Sequence, residues 1–136
     1  MMKRSVSNNI VYPELSYQIM GILFKVHNVL GPTLLEKYYQ RAVAKELTEQ
    51  NISFKREALV RLMYESTPIG NYRLDFIIDE KLILELKANK YTNPSFYKQV
   101  VAYLRQTDLQ LAILANFRRE RLEYKRILNS ALKDSN

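Results

Sequence analysis

Hydrophobic and polar residues alternate with two different periods along this chain, and the changes of pattern divide it into elements. From Pro13 to Val29 the apolar residues Ile19, Ile22, Leu23, Val26, Val29 and Leu30 recur at spacings of three and four. That is the stripe of an amphipathic helix, with Pro13 suited to its first turn. Gly31-Pro32 breaks the pattern, and Pro32 can open a second helix reaching about Gln50. Its buried side is Leu34, Leu35, Tyr38, Tyr39, Ala42, Val43 and Leu47.

The period then drops to two. Phe54 to Ser66 reads as a strand, Thr67-Pro68-Ile69-Gly70-Asn71 as a turn, and Tyr72 to Ile78 as a second strand. Asp79-Glu80-Lys81 turns the chain into a third strand, Leu82 to Lys87. Asn93 followed by Pro94 is a helix start, and the pattern behind it runs to about Thr107. Leu109 to Phe117 is almost wholly apolar, as in a strand buried on both faces. Arg119 to about Leu132 reads as a charged terminal helix. With no repeat or linker, one α/β domain over residues 1–136, cored by 10–130, is the simplest account.

Composition removes several chemistries. The absence of cysteine excludes disulfides, thiolate catalysis and cysteine zinc sites, and one histidine, His27, argues further against zinc. His27 reads as a structural residue of the first helix. The start, Met1 to Asn9, has basic residues but no apolar stretch behind them, unlike a signal peptide. No uncharged apolar run approaches the roughly 20 residues of a membrane span. A cytoplasmic location without membrane contact follows as the expectation. The net charge of +7, from 21 Lys+Arg against 14 Asp+Glu, favours polyanions such as nucleic acid.

Strand parity then isolates one constellation. Leu82, Leu84 and Leu86 point to one side, so Glu85 and Lys87 share the other. In the preceding strand Leu74, Phe76 and Ile78 form the matching apolar face, which leaves Asp75 opposite them. A turn through residues 79 to 81 pairs position 78 with 82 and 75 with 85. Directly opposed side chains stand about 5 Å apart at Cβ. Two carboxylates that close repel unless a cation lies between them. Mg²⁺, which takes oxygen ligands and one or two carboxylates with water and phosphate, answers that need, and Mn²⁺ can substitute. A lysine alongside can position a water and stabilise charge at phosphorus. The competing account of Glu85 and Lys87 is an ordinary solvent-facing ion pair.

The segments Gly70 to Ile78 and Leu82 to Ala88 resemble the core motif of the PD-(D/E)XK nuclease superfamily. More narrowly, the chain resembles the small GxxExxY proteins placed in that superfamily. The marks, in order, are Leu30-Gly31-Pro32, Leu34-Leu35-Glu36, Tyr39, the Asp75 and Glu85-Leu86-Lys87 strands, Gln99 to Leu104, Ala112 to Phe117, and Lys125-Arg126-Ile127. Thr33 stands where that family's name-giving glycine falls. The resemblance implies a restriction-endonuclease-like core, a central mixed sheet of about four strands flanked by helices. It implies that Glu36 joins Asp75 and Glu85 as a metal ligand, and that Gln99 lines the site beside Lys87. Glu36 equally suits a helix amino terminus.

Nucleic-acid contacts are read at Arg73, which shares the face of Asp75, at Tyr39 and Tyr103 as base-stacking rings, and at Arg118 and Arg119. The last two lead a basic cluster with Arg121, Lys125 and Arg126. Each of these residues has an alternative as packing or solvated surface. Two functions compete: metal-dependent phosphodiester hydrolysis, with DNA ahead of RNA, and a non-catalytic nucleic-acid- or protein-binding module that keeps the fold. Without a separate DNA-reading module, sequence specificity would have to come from a partner, a homodimer or substrate shape.

Overall fold

The computed structural model describes residues 11–133. The amino-terminal stretch Met1 to Asn9, read above against a signal peptide, lies outside them. The elements are α1 (Pro13–Leu30), α2 (Glu36–Glu49), β1 (Phe54–Tyr64), β2 (Thr67–Ile78), β3 (Leu82–Lys87), α3 (Pro94–Arg105), β4 (Leu111–Asn116), β5 (Glu123–Leu128) and the short α4 (Ser130–Lys133). The strands form one mixed sheet in the order β1-β2-β3-β4-β5. Only β3 and β4 run parallel, joined through α3. No helix among the described residues is long and apolar enough to cross a membrane.

The sheet sits between two helical layers. On one side Leu82, Leu84 and Leu86 of β3 and Leu111, Ile113 and Ala115 of β4 pack with Ile19, Ile22 and Leu23 of α1 and Tyr39, Val43 and Leu47 of α2. On the other, Ile83, Ala112 and Leu114 pack with Val100 and Leu104 of α3. Strict alternation along β3 and β4 thus feeds two cores from one pair of strands. Asn93 caps α3 as its residue type predicts, its Oδ1 accepting from the Ser95 amide at 2.9 Å.

Four expectations are corrected. The second helix begins at Glu36 instead of Pro32. The Tyr39 hydroxyl accepts from the Leu34 amide at 3.1 Å and donates to the Gly31 carbonyl, which holds residues 31–35 as a loop. The β1–β2 turn lies at Glu65-Ser66, both left-handed (φ 47° and 69°), so Thr67 to Asn71 belongs to β2. A two-residue hairpin turn with two positive φ angles matches strand twist better than the prolyl segment after it.

The tail is a fifth strand where a helix was expected. Its charges mark an edge strand with one solvent face, and Ile127 is the residue it buries. Asn129 ends that strand: its amide donates to the Leu104 and Leu109 carbonyls, both at 2.9 Å.

The fourth correction concerns faces. Phe76 and Ile78 join the α1/α2 side, but Leu74 packs with Ile83 and Val60 on the α3 side. Phe54 and Val60 of β1 divide in the same way. Between them Glu57 is left-handed (φ 51°), and the β1–β2 ladder skips the step that would pair it with Asp75. The alternation is broken at the one position of β2 that carries an acid.

Candidate active site

Backbone pairing between β2 and β3 runs Ile78↔Leu82, Ile77↔Ile83, Phe76↔Leu84, as the three-residue turn predicts, and stops there. At the next step the side chains take over. The Asp75 amide donates to Glu85 Oε1 at 2.6 Å, and the Leu86 amide donates to Asp75 Oδ2 at 2.8 Å. Each acid therefore satisfies a backbone donor of the opposing strand where the ladder parts. Glu85 is 2% exposed, which places a carboxylate inside the α3 face of the sheet.

Around the pair, Tyr72 donates its hydroxyl to Glu85 Oε2 at 3.1 Å. Its ring stacks on Tyr103 of α3, with centroids 3.6 Å apart. Burial, then the Glu85 charge, pushes the Tyr72 phenol well above its usual range, so it stays a donor. Lys87 lies over the Phe96 ring, Nζ 4.8 Å from its centroid. From α2, burial raises the Glu36 carboxyl, with the Lys87 ammonium pulling it down and the Asp75 charge pushing it up. Glu36, Lys87 and Asp75 thus share one electrostatic neighbourhood.

The two central acids are both weakened. Burial, followed by the Asp75 charge, raises Glu85 to about 7, against the pull of the Asp75 amide and Lys87. Burial raises Asp75 too, opposed by the Leu86 amide, Lys87, Gln40 and Arg56. Desolvated carboxylates side by side are short of positive charge. A hard divalent cation fits that donor set, since Mg²⁺ takes one or two carboxylates and completes its shell with water and phosphate. Among the described residues, no three acidic or histidine side chains are gathered closely enough to hold an ion as they stand. Asp75 and Glu85 are the pair in contact, and Glu36 flanks them.

The residues singled out in the sequence therefore divide. Glu36, Asp75, Glu85 and Lys87 come together, and Tyr103 reaches the group through Tyr72. Gln99 is exposed on α3 and, among the described residues, hydrogen-bonds to none of them. Arg73 points to solvent and pairs with Glu57 at 3.3 Å. Tyr39 is corrected outright: it is fully buried, stacked 4.5 Å from Phe117, and offers no face to a base. Arg118 and Arg119 line a depression with Lys90 and Tyr91, although Arg118 already donates to the Leu34 carbonyl at 3.1 Å. Arg126 leaves the basic cluster to hold Ser16 and the Val11 carbonyl beside α1. His27 is structural, its Nε2 2.8 Å from the Arg119 carbonyl oxygen.

Sequence reasoning missed Tyr72, Gln40 and Arg56. Gln40 carried a usable signal, four residues after Glu36 on one helix face. Arg56 donates to Gln40 Oε1 at 3.4 Å. Tyr72 carried none, because its orientation depends on the broken alternation at Asp75.

A mixed sheet between helical layers, with an acid pair where two strands part and a lysine two residues on, is the arrangement of a nuclease-type α/β domain. Residues 13–127 match the PD-(D/E)XK nuclease superfamily, and the chain belongs to it. No curated protein matches the chain. Among solved structures it is similar to an alkaline exonuclease from Laribacter hongkongensis, with 14% identity and a TM-score of 0.44, covering 73% of this chain and 58% of that one. The chain thus spans less than two-thirds of that exonuclease.

Proposed function

We propose that this protein hydrolyses phosphodiester bonds in nucleic acid, DNA foremost, with a divalent ion held by Asp75 and Glu85 and flanked by Glu36. The observation that carries the reading is the reciprocal grip of Asp75 and Glu85 on each other's strand, with Lys87 on the same face. Bound Mg²⁺ or Mn²⁺ supplies a Lewis acid for the phosphoryl oxygens and an acidified water. The chain's own residues do the rest. The backbone amides fix both carboxylates in orientation, so no reorganisation is needed when substrate arrives. Tyr72 holds Glu85 from the second oxygen. Lys87 orients the attacking water and offsets charge developing at phosphorus. Gln99, exposed on α3, is left to orient Lys87 or the substrate.

The test is isothermal titration with Mn²⁺ on wild type and Asp75→Ala, paired with cleavage assays on single-stranded, duplex and branched DNA and on RNA. Binding by wild type alone, with metal-dependent cutting, is the expected outcome. A protein that binds no ion and cuts none of these substrates is not a nuclease. A second reading is a module that binds nucleic acid without cutting it, for which the net charge of +7 offers attraction that needs no metal. Metal-independent binding with no cleavage would establish that alternative.

A further inference from the structure

Beside Lys87, on the α3 side, lies a cavity of about 430 Å³. Phe96 and Tyr97 of α3, Leu114 of β4 and Lys125 of β5 are among the residues that form it. Its size falls within the range of small-ligand pockets, about 300–1,000 Å³. Tyr97 is 42% exposed, so it keeps ring surface for a ligand. The ammoniums of Lys87 and Lys125 lie 4.8 and 5.5 Å from the Phe96 and Tyr97 ring centroids. Flat aromatic walls with two cations among them match the chemistry of a heteroaromatic ring attached to a phosphodiester. Lys87 belongs both to this cavity and to the neighbourhood of the carboxylates.

We infer that the cavity receives one unstacked base of a single-stranded or frayed nucleic acid while the adjoining phosphate lies at Asp75 and Glu85. This inference rests on the proposed nuclease function and narrows its substrate. A base inside a duplex is paired and stacked, and must be extruded before it can enter such a pocket. A base at a single-stranded segment enters without that cost.

The test uses a short single-stranded DNA carrying 2-aminopurine, the same strand in a blunt duplex, and RNA of the same sequence, with Ca²⁺ in the buffer to hold off cleavage. The single strand is expected to bind at least about tenfold more tightly than the duplex, with a change in 2-aminopurine fluorescence. Tyr97→Ala is expected to weaken single-strand binding about tenfold, as loss of one base–aromatic stack does, and Tyr97→Phe to restore it, whereas Tyr124→Ala, at a ring that packs on Phe24 across the sheet, is expected to leave it unchanged. The RNA is expected to show the same dependence on Tyr97, because every base presents a stacking face, and RNA binding indifferent to Tyr97→Ala counts against the pocket. Equal affinity for strand and duplex, or a Tyr97→Ala variant with unchanged affinity, overturns the base pocket. Cleavage of the same oligonucleotides in Mg²⁺ reads the nuclease assignment separately. Cutting that ignores Tyr97→Ala overturns the pocket alone. Tyrosine-dependent binding with no cutting in Mg²⁺ or Mn²⁺ overturns the nuclease reading and leaves the pocket standing.

Discussion

The two faces of β3 put six consecutive residues into opposite environments. Toward α1 and α2 it presents Leu82, Leu84 and Leu86, all fully buried. Toward α3 it presents Ile83, then Glu85 and Lys87. The first face adds stability by removing apolar area from water. The second spends some of that stability, because an acid at 2% exposure costs free energy unless a donor or a cation meets it. One strand therefore both anchors the fold and holds a group the fold alone would not favour.

Substitutions on the two faces should separate these roles. The largest effect belongs to the polar face: Asp75→Asn, close to isosteric, should lower cleavage on the order of a thousandfold, about 4 kcal/mol of barrier. Single-turnover rates check it, and a loss below tenfold would remove Asp75 from the chemistry. Next, Leu84→Ala on the apolar face should cost about 3 kcal/mol of unfolding free energy and leave cleavage per folded molecule unchanged. Urea titration with activity measured on the folded fraction tests both halves.

A smaller effect is the pH dependence of the metal-free protein. Glu85 titrates at about 7 in the fold, against 4.5 ordinarily, so the folded state holds its proton more tightly than the unfolded chain. Stability should then be greatest below about pH 4.5 as far as this group is concerned. It should fall by about 3 kcal/mol as pH rises through 7, levelling off about one unit above that. Glu85→Gln should flatten the decline, and saturating Mg²⁺ should oppose it. Chemical denaturation across that range in EDTA, with a slope unchanged by Glu85→Gln, would locate the pH dependence elsewhere. The smallest effect is Tyr72→Phe, which removes one hydrogen bond to Glu85 and should cost about 1 kcal/mol of stability, with a less than tenfold fall in cleavage.

Much of this site was legible because β-strand parity and a three-residue turn are local properties. They placed Asp75 beside Glu85 and Lys87 on the same side before any tertiary contact was known. Local pattern failed where distant partners decide. Leu74 reversed faces where the β1–β2 ladder breaks at Asp75 opposite a left-handed Glu57, a residue type that does not announce such a conformation. Tyr39 read both as part of a buried helix face and as a stacking ring, and only the contact of its hydroxyl with residues 31–35 decides for burial. The tail read as a helix because its charges hide one buried isoleucine, and β4 supplies the other half of its hydrogen bonds. Gln40 and Arg56 meet Asp75 only once α2 lies on the sheet.

The mutual hold of Asp75 and Glu85 also bears on how the chain folds. Their contact spans ten residues across a tight turn. The parallel pairing of β3 with β4 must instead wait for the crossover of residues 88–110. Loop closure over the shorter span costs less entropy, so the hairpin carrying both acids should form before the sheet is complete. Mutational φ-values should accordingly be higher at Ile78 and Leu82 than at Ile113 and Ile127. The acid pair would then enter the collapsing core already joined, and the core would close around it.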